Sequence, residues 1–172
     1  MSVPLSVILT APGEPQKTGQ PIPVLVQVKN ISDHPLWLIG VLDGSEAGLR
    51  YPHWQPEIIT PHPLSEAEPL PLSDMSAPLR AQDFRRLQPG ESFDPTAATG
   101  EAAYLPITTF QNFRPAVPGR YEFRLTFSTA SEEDEEWLGL IGYPGEAEVL
   151  KRLKEVPRLR VKSNSAIIEV VK

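Results

Sequence analysis

Apolar and polar side chains alternate along much of this chain, and the alternation is cleanest between Arg120 and Phe127. Successive side chains of a strand point to opposite faces. Tyr121, Phe123, Leu125 and Phe127 therefore share one face, and Arg120, Glu122, Arg124 and Thr126 share the other. That is a half-buried antiparallel strand, launched by the turn at Pro118-Gly119. The same period aligns Ile22, Val24, Val26 and Val28, and it returns in Leu5, Val7 and Leu9, in Leu159 and Val161, and in Ile168 and Val170. Residues 36–42 are apolar at every position but Gly40, which suits a strand covered on both faces or one at the centre of the fold. A further strand is predicted from Tyr104 to Phe110, after the loop "TAATGEA". Short strands parted by Gly, Pro, Asn and Asp clusters predict an all-β protein, an antiparallel β-sandwich of seven to nine strands.

Two segments break this rhythm. Pro61 to Gln82 carries Pro61, Pro63, Pro69, Pro71 and Pro78, too many for a helix or a central strand. A loop of that length inside a compact domain is uncommon unless it is functional or disordered. The second segment, residues 131–156, opens with Glu132, Glu133, Asp134, Glu135 and Glu136. It continues into Gly145 to Glu155, where Ala147, Val149, Leu150 and Leu153 have near-helical spacing and Lys151, Arg152 and Lys154 come late, where the macrodipole favours cations. One short helix is predicted there, closed by Pro157.

Length narrows the architecture: 172 residues suit a single domain, 1–172, built on one core. The 20 prolines disfavour long helices, because each removes an amide donor and clashes with the preceding turn. A net charge of −6 argues against general affinity for a phosphate backbone, so nucleic acid is not an expected partner. No run of 18 apolar residues suggests a membrane span. The start, "MSVPLSVILTAPGEP", lacks a basic region and reads as a first strand rather than a secretion signal. Without cysteine there is no disulfide, thiol nucleophile or thiolate site. The plainest compartment is a bacterial-type cytoplasm, although a chain trimmed from an exported protein would read the same.

Candidate chemistry is sparse. His34, His53 and His62 lack the spacings that join two histidines on one metal, and "LDGSEAG" departs from a calcium loop beyond Asp43. There is no Gly-x-Ser-x-Gly elbow and no phosphate-binding glycine loop; Ser45, Asp43 and His53 would form a triad only if folding brought them together. No catalytic residue, cofactor or metal is assigned. Asn30-Ile31-Ser32 reads as a strand-ending turn. The acidic run has two readings. Glu132, Glu133, Asp134, Glu135 and Glu136, beside an exposed Trp137, are candidates to dock a basic protein partner, the charges steering and the indole anchoring. Alternatively they form a solvated hairpin tip, or neutralise the chain's own basic stripe of Lys151, Arg152, Lys154, Arg158, Arg160 and Lys162. Tyr51 and Trp54, in "YPHW", are candidates for a sugar-stacking platform or for edge packing beneath the proline-rich loop.

The order of "VQVKNISDHPLWL", "LQPGES", "VPGRYEF" and "VKSNSAIIEVV" resembles bacterial immunoglobulin-like β-sandwich modules of uncharacterised function. More distantly it is similar to Bacillus-type intracellular proteinase inhibitor domains. The resemblance spans about residues 5 to 172. It implies that Trp37 occupies the place of the core tryptophan of such domains and that Tyr121 forms a tyrosine corner, bonding back to nearby backbone. With no cysteine after Tyr121, only packing can hold the sheets together. The expected function is a non-enzymatic protein-interaction module. A protease inhibitor acting through Pro61 to Gln82, and a carbohydrate-binding module at Tyr51 and Trp54, are the alternatives. An exposed edge strand would offer a route to a homodimer.

Overall fold

The computed structural model describes residues 3–62, 77–97 and 105–172. In chain order its elements are β1 (Leu5–Thr10), β2 (Gln16–Lys17), β3 (Leu25–Asn30), β4 (Leu36–Ile39) and β5 (His53–Ile59). A 3-10 turn at Ala81–Asp83 leads into β6 (Phe84–Leu87) and β7 (Ser92–Phe93), followed by the one-turn helix α1 (Thr109–Asn112). The remainder is β8 (Gly119–Ser128), α2 (Glu135–Leu138), α3 (Glu146–Leu153), β9 (Arg160–Lys162) and β10 (Ala166–Val171). The protein is mostly β, with one sheet in the order β1-β3-β7, a second in the order β2-β10-β8-β5 with β9 also on β8, and a β4-β6 ribbon. Pairing is antiparallel throughout except between β2 and β10.

The alternation read from the sequence is what turns the two larger sheets toward a shared core. Tyr121, Phe123, Leu125 and Phe127 of β8 are buried, and so are Val26 and Val28 of β3, Leu5, Val7 and Leu9 of β1, and Ile168 and Val170 of β10. Their polar neighbours in each strand stay on the wet face. Polar side chains then mend the places where strands break. Between β9 and β10, Leu125 and Ser163 exchange two bonds of 2.9 Å, one of them through the Ser163 hydroxyl, so β8 keeps its ladder. The next residue, Asn164, reaches the other sheet: its carboxamide accepts from the Leu9 N–H at 2.8 Å and donates to the Leu9 carbonyl at 2.9 Å, as a strand backbone would. Asn30 does the same between β3 and β4. It is fully buried, donates to the Leu87 and His34 carbonyls at 3.0 and 2.8 Å, and accepts from the Ser32 N–H at 2.9 Å. The Tyr121 hydroxyl donates to the Val117 carbonyl at 2.8 Å, the backward bond expected of it.

Two expectations need correction. Trp37 is not the central tryptophan: it is half-buried, with the Arg152 guanidinium 5.6 Å from its ring. Trp54 takes that place, with 0% exposure, 4.2 Å from the Phe127 ring and 6.1 Å from Phe93. The reason is topological, since β5 and not β4 lies beside β8. The strand expected to end at Phe110 is also absent from the described part of that stretch, where Thr109–Asn112 is helical. There the Glu46 carboxylate accepts the Thr108 and Thr109 N–H groups, the donors a helix start leaves open. Tyr104 itself lies outside the described residues.

A second apolar cluster is built from connections rather than from the two larger sheets. It joins Ile39 and Leu42 from the β3–β5 connection, Leu79 and Phe84 from the β5–β7 connection, and Trp137, Leu138, Val149, Leu153 and Val156 from the β8–β9 connection. The predicted helix is α3. It buries Val149 and Leu153, keeps Glu146 and Glu148 in its first turn, and ends in Lys151 and Arg152, in accord with its dipole.

Candidate functional site

The β8–β9 connection carries the acidic run, and its local structure follows from where its apolar residues can go. In α2 the adjacent Trp137 and Leu138 turn into the second cluster, which leaves Glu132, Glu133, Asp134, Glu135 and Glu136 on the exposed side. The expectation of an exposed Trp137 anchor is therefore corrected: its exposure is 0%. Its indole N–H donates to the Ser131 carbonyl at 3.2 Å, its ring lies 5.3 Å from Tyr51, and the Arg158 guanidinium sits 4.9 Å away. A large amphipathic ring with its one donor satisfied is more stable inside than out. Nor is the run a bare hairpin tip. Ser131 accepts from the Glu133 N–H at 3.0 Å and donates to the Glu136 carboxylate, while the Glu136 carbonyl accepts from the Tyr51 N–H at 2.8 Å.

Beneath α2 lies Arg50, 3% exposed, which the sequence reading did not single out. Its guanidinium donates to the Ala77 carbonyl at 2.5 Å and to the Trp137 carbonyl at 2.7 Å, so one buried cation ties two connections together. Burial lowers its pKa, opposed by the Asp83 and Asp43 carboxylates. Burial raises the pKa of Asp83, although its carboxylate accepts from the Arg80 N–H at 2.8 Å and faces the Arg80 and Arg50 guanidiniums. Arg50, Arg80, Asp43 and Asp83, with Leu42, Ala77, Pro78 and Leu105, line a cleft of about 150 Å³.

The chain turns sharply after α2. Gly139 has φ of 73°, and a Cβ there would fall 2.7 Å from the Ala77 carbonyl oxygen, so only glycine fits. The next two residues, Leu140 and Ile141, are 51% and 62% exposed, and Gly142 again has positive φ at 79°. Both feet of this arch are tied to one residue. The Leu79 N–H donates to the Leu138 carbonyl at 2.9 Å, and the Tyr143 hydroxyl donates to the Leu79 carbonyl. The signal for the arch was available in "GLIG", two large apolar residues between glycines. What hid it was the assumption that the tryptophan would be the exposed group.

The other candidates take ordinary places. Trp54 is enclosed in the first core, so no sugar can stack on it. Tyr51 is half-buried, stacked on His53 at 3.7 Å. Burial lowers the His53 pKa, with Arg160 acting in the same direction and Glu136 against it. Ser45 is buried and accepts the Leu42 N–H at 3.0 Å, while Asp43 is exposed. His34 pairs with Asp33 at 2.9 Å. Among the described residues no group of three or more His, Asp or Glu is arranged to hold a metal, and no helix is long and apolar enough to cross a membrane. Of the proline-rich stretch, residues 63–76 lie outside the described residues. No family model, no curated protein and no solved structure matches this chain.

Proposed function

We propose that this chain is an immunoglobulin-like β-sandwich serving as a non-enzymatic protein-interaction module. Two features support the fold. The order β1-β3-β7 against β2-β10-β8-β5 follows the A-B-E and G-F-C strands of such domains, and Tyr121 stands at the start of β8 as the corner tyrosine stands on strand F. In that correspondence the β3–β5 and β8–β9 connections are the B–C and F–G loops, which share one end of the domain and are the customary place for recognition.

The observation that carries the functional reading is the β8–β9 connection itself. It keeps five acidic side chains exposed and presents Leu140 and Ile141 to solvent from a firmly tied arch, although a buried cluster lies directly beneath it. Four of the five acids form no ion pair with the basic stripe among the described residues. Among the described residues their one ion pair is the 3.7 Å contact of Glu132 with Arg158.

The test is a cross-linked pull-down from native-cell lysate with the intact chain and a variant in which residues 132–136 become Ser and Gly. Any captured protein is then purified and titrated against both forms. Direct binding that weakens in the variant supports a docking role for the connection. A chain that captures nothing from any face removes the module reading.

A further inference from the structure

We infer that the Gly139–Gly142 arch is the anchor of the docking surface, inserting Leu140 and Ile141 into an apolar pocket of a protein partner whose surrounding surface is basic. This deepens the interaction-module reading and rests on it.

The chain holds these two side chains outside although residues of an apolar cluster lie on either side of them in the sequence. Trp137 and Leu138, immediately before the arch, are 0% and 3% exposed, and the second cluster they enter also takes Val149 and Leu153 from α3 just beyond it. Leu140 and Ile141 have no such outlet. Gly139 is wedged against the Ala77 carbonyl and the Arg50 guanidinium, the Leu138 carbonyl is bound by the Leu79 N–H, and the Tyr143 hydroxyl is bound to the Leu79 carbonyl. The Gly142 N–H is taken by the Glu146 carboxylate. Every fixed point holds the two apolar side chains away from the interior. A loop already held in its bound shape loses little conformational entropy on docking, and paired exposed aliphatics gain by leaving water.

Glu133, Asp134 and Glu135 are exposed and form no ion pair among the described residues, and they stand within seven residues of the arch. The nearby cations of α3 are partly engaged, since Arg152 pairs with Glu148 at 3.1 Å and covers Trp37. An apolar tip beside unpaired carboxylates favours a basic rim around an apolar pocket and disfavours an anionic lipid surface or the acidic end of a second copy.

The experiment places a photoreactive amino acid at Ile141 in the full chain, and in a second protein at Gln27, on the wet face of β3, as a control. After capture from native-cell lysate, the cross-linked protein is identified, purified and titrated against the intact chain, the double variant Leu140→Ser, Ile141→Ser, and the variant with 132–136 neutralised. We expect capture through position 141 and not 27. Affinity should fall by about tenfold or more in the double variant, with a smaller fall and a weaker salt dependence in the neutralised one. The double variant should keep its thermal midpoint, which separates lost contact from lost folding. Capture through position 27 alone would leave a module but overturn the arch as its anchor. Affinity indifferent to both variants would overturn it as well, as would cross-linking of 141 to a second copy or co-flotation with phosphatidylglycerol vesicles. No capture from either position would remove the module reading together with this inference.

Discussion

The two apolar clusters of this protein are held together by different means. The first is made of strands whose inward residues alternate with wet ones, and its largest side chain, Trp54, meets Phe127 across β5 and β8. Its polar members are neutral: Asn30, Asn164 and Ser163 complete ladders where the strands break. The second is made of short elements and the turns between them, outside the two larger sheets, and charged groups hold its walls. Arg50 ties Ala77 to Trp137, and Asp83 ties back to Arg80. Regular pairing satisfies the backbone of a β core automatically, whereas a core walled by loops leaves carbonyls that side chains must satisfy one by one. Among the described residues the Nε of the buried Arg50 guanidinium has no hydrogen-bond partner, as Trp54 Nε1 has none in the first core. The Gly139–Gly142 arch stands on the charged wall of the second cluster.

The comparison is tested most severely by emptying each core in turn. Trp54→Ala should destabilise the whole chain by about 3–5 kcal/mol, read as a single transition by urea denaturation. Trp137→Ala removes a side chain of the same size, yet its effect should stay local. Native-state hydrogen exchange should lose protection at Leu79 and α3 while the β8 amides keep theirs. Loss of β8 protection to the same degree would mean the two clusters open as one unit. A smaller effect is expected from Gly139→Ala, which sets a Cβ against the Ala77 carbonyl at positive φ. It should cost about 1–3 kcal/mol, read as a lowered thermal midpoint, and should loosen the arch without disturbing Trp54 fluorescence.

The smallest effects come from pH, and they have opposite signs at Asp83 and His53. Burial raises Asp83 above the usual 3.8, so the folded chain holds that proton more tightly. Its contribution to stability is present below 3.8 and is lost as the pH rises through the raised folded value. His53, on β5, is lowered from 6.5, chiefly by burial. Its contribution is present above 6.5 and is lost as the pH falls through the lowered folded value. Thermal midpoints measured between neutral and acid pH should therefore diverge for the two variants. Asp83→Asn should gain most over the parent at neutral pH, and His53→Gln should gain most in acid. A parallel shift of both curves would mean that neither group titrates differently on folding.

Much of the first core was legible because a strand's period is local. One face of β8, from Tyr121 to Phe127, can be assigned from seven letters, and the same holds for β1, β3, β10 and the helix α3. The Tyr121 hydroxyl bond is equally local, since its partner, Val117, lies four residues back. The site was not. Choosing among three tryptophans requires knowing which strand lies beside β8, and that pairing joins residues about 70 apart. Trp37 stands among Leu36, Leu38 and Ile39, whereas Trp54 lies between His53 and Gln55, so local sequence favours Trp37 and only strand order selects Trp54. Trp137 follows five acids, which favours an exposed reading until Arg50, 87 residues away, is seen to hold its carbonyl.

What the sequence determined by itself is therefore the β character, the inward faces of the strands, one helix and the location of the acidic charge. All of these depend on neighbours within a turn or two of chain. Tertiary structure alone decided that Trp54 is the central indole, that Trp137 lies inside, and that Leu140 and Ile141 stand outside. Burial is a property of what arrives from elsewhere in the chain, and here a cluster assembled from three separate connections took in the tryptophan and left Leu140 and Ile141 outside.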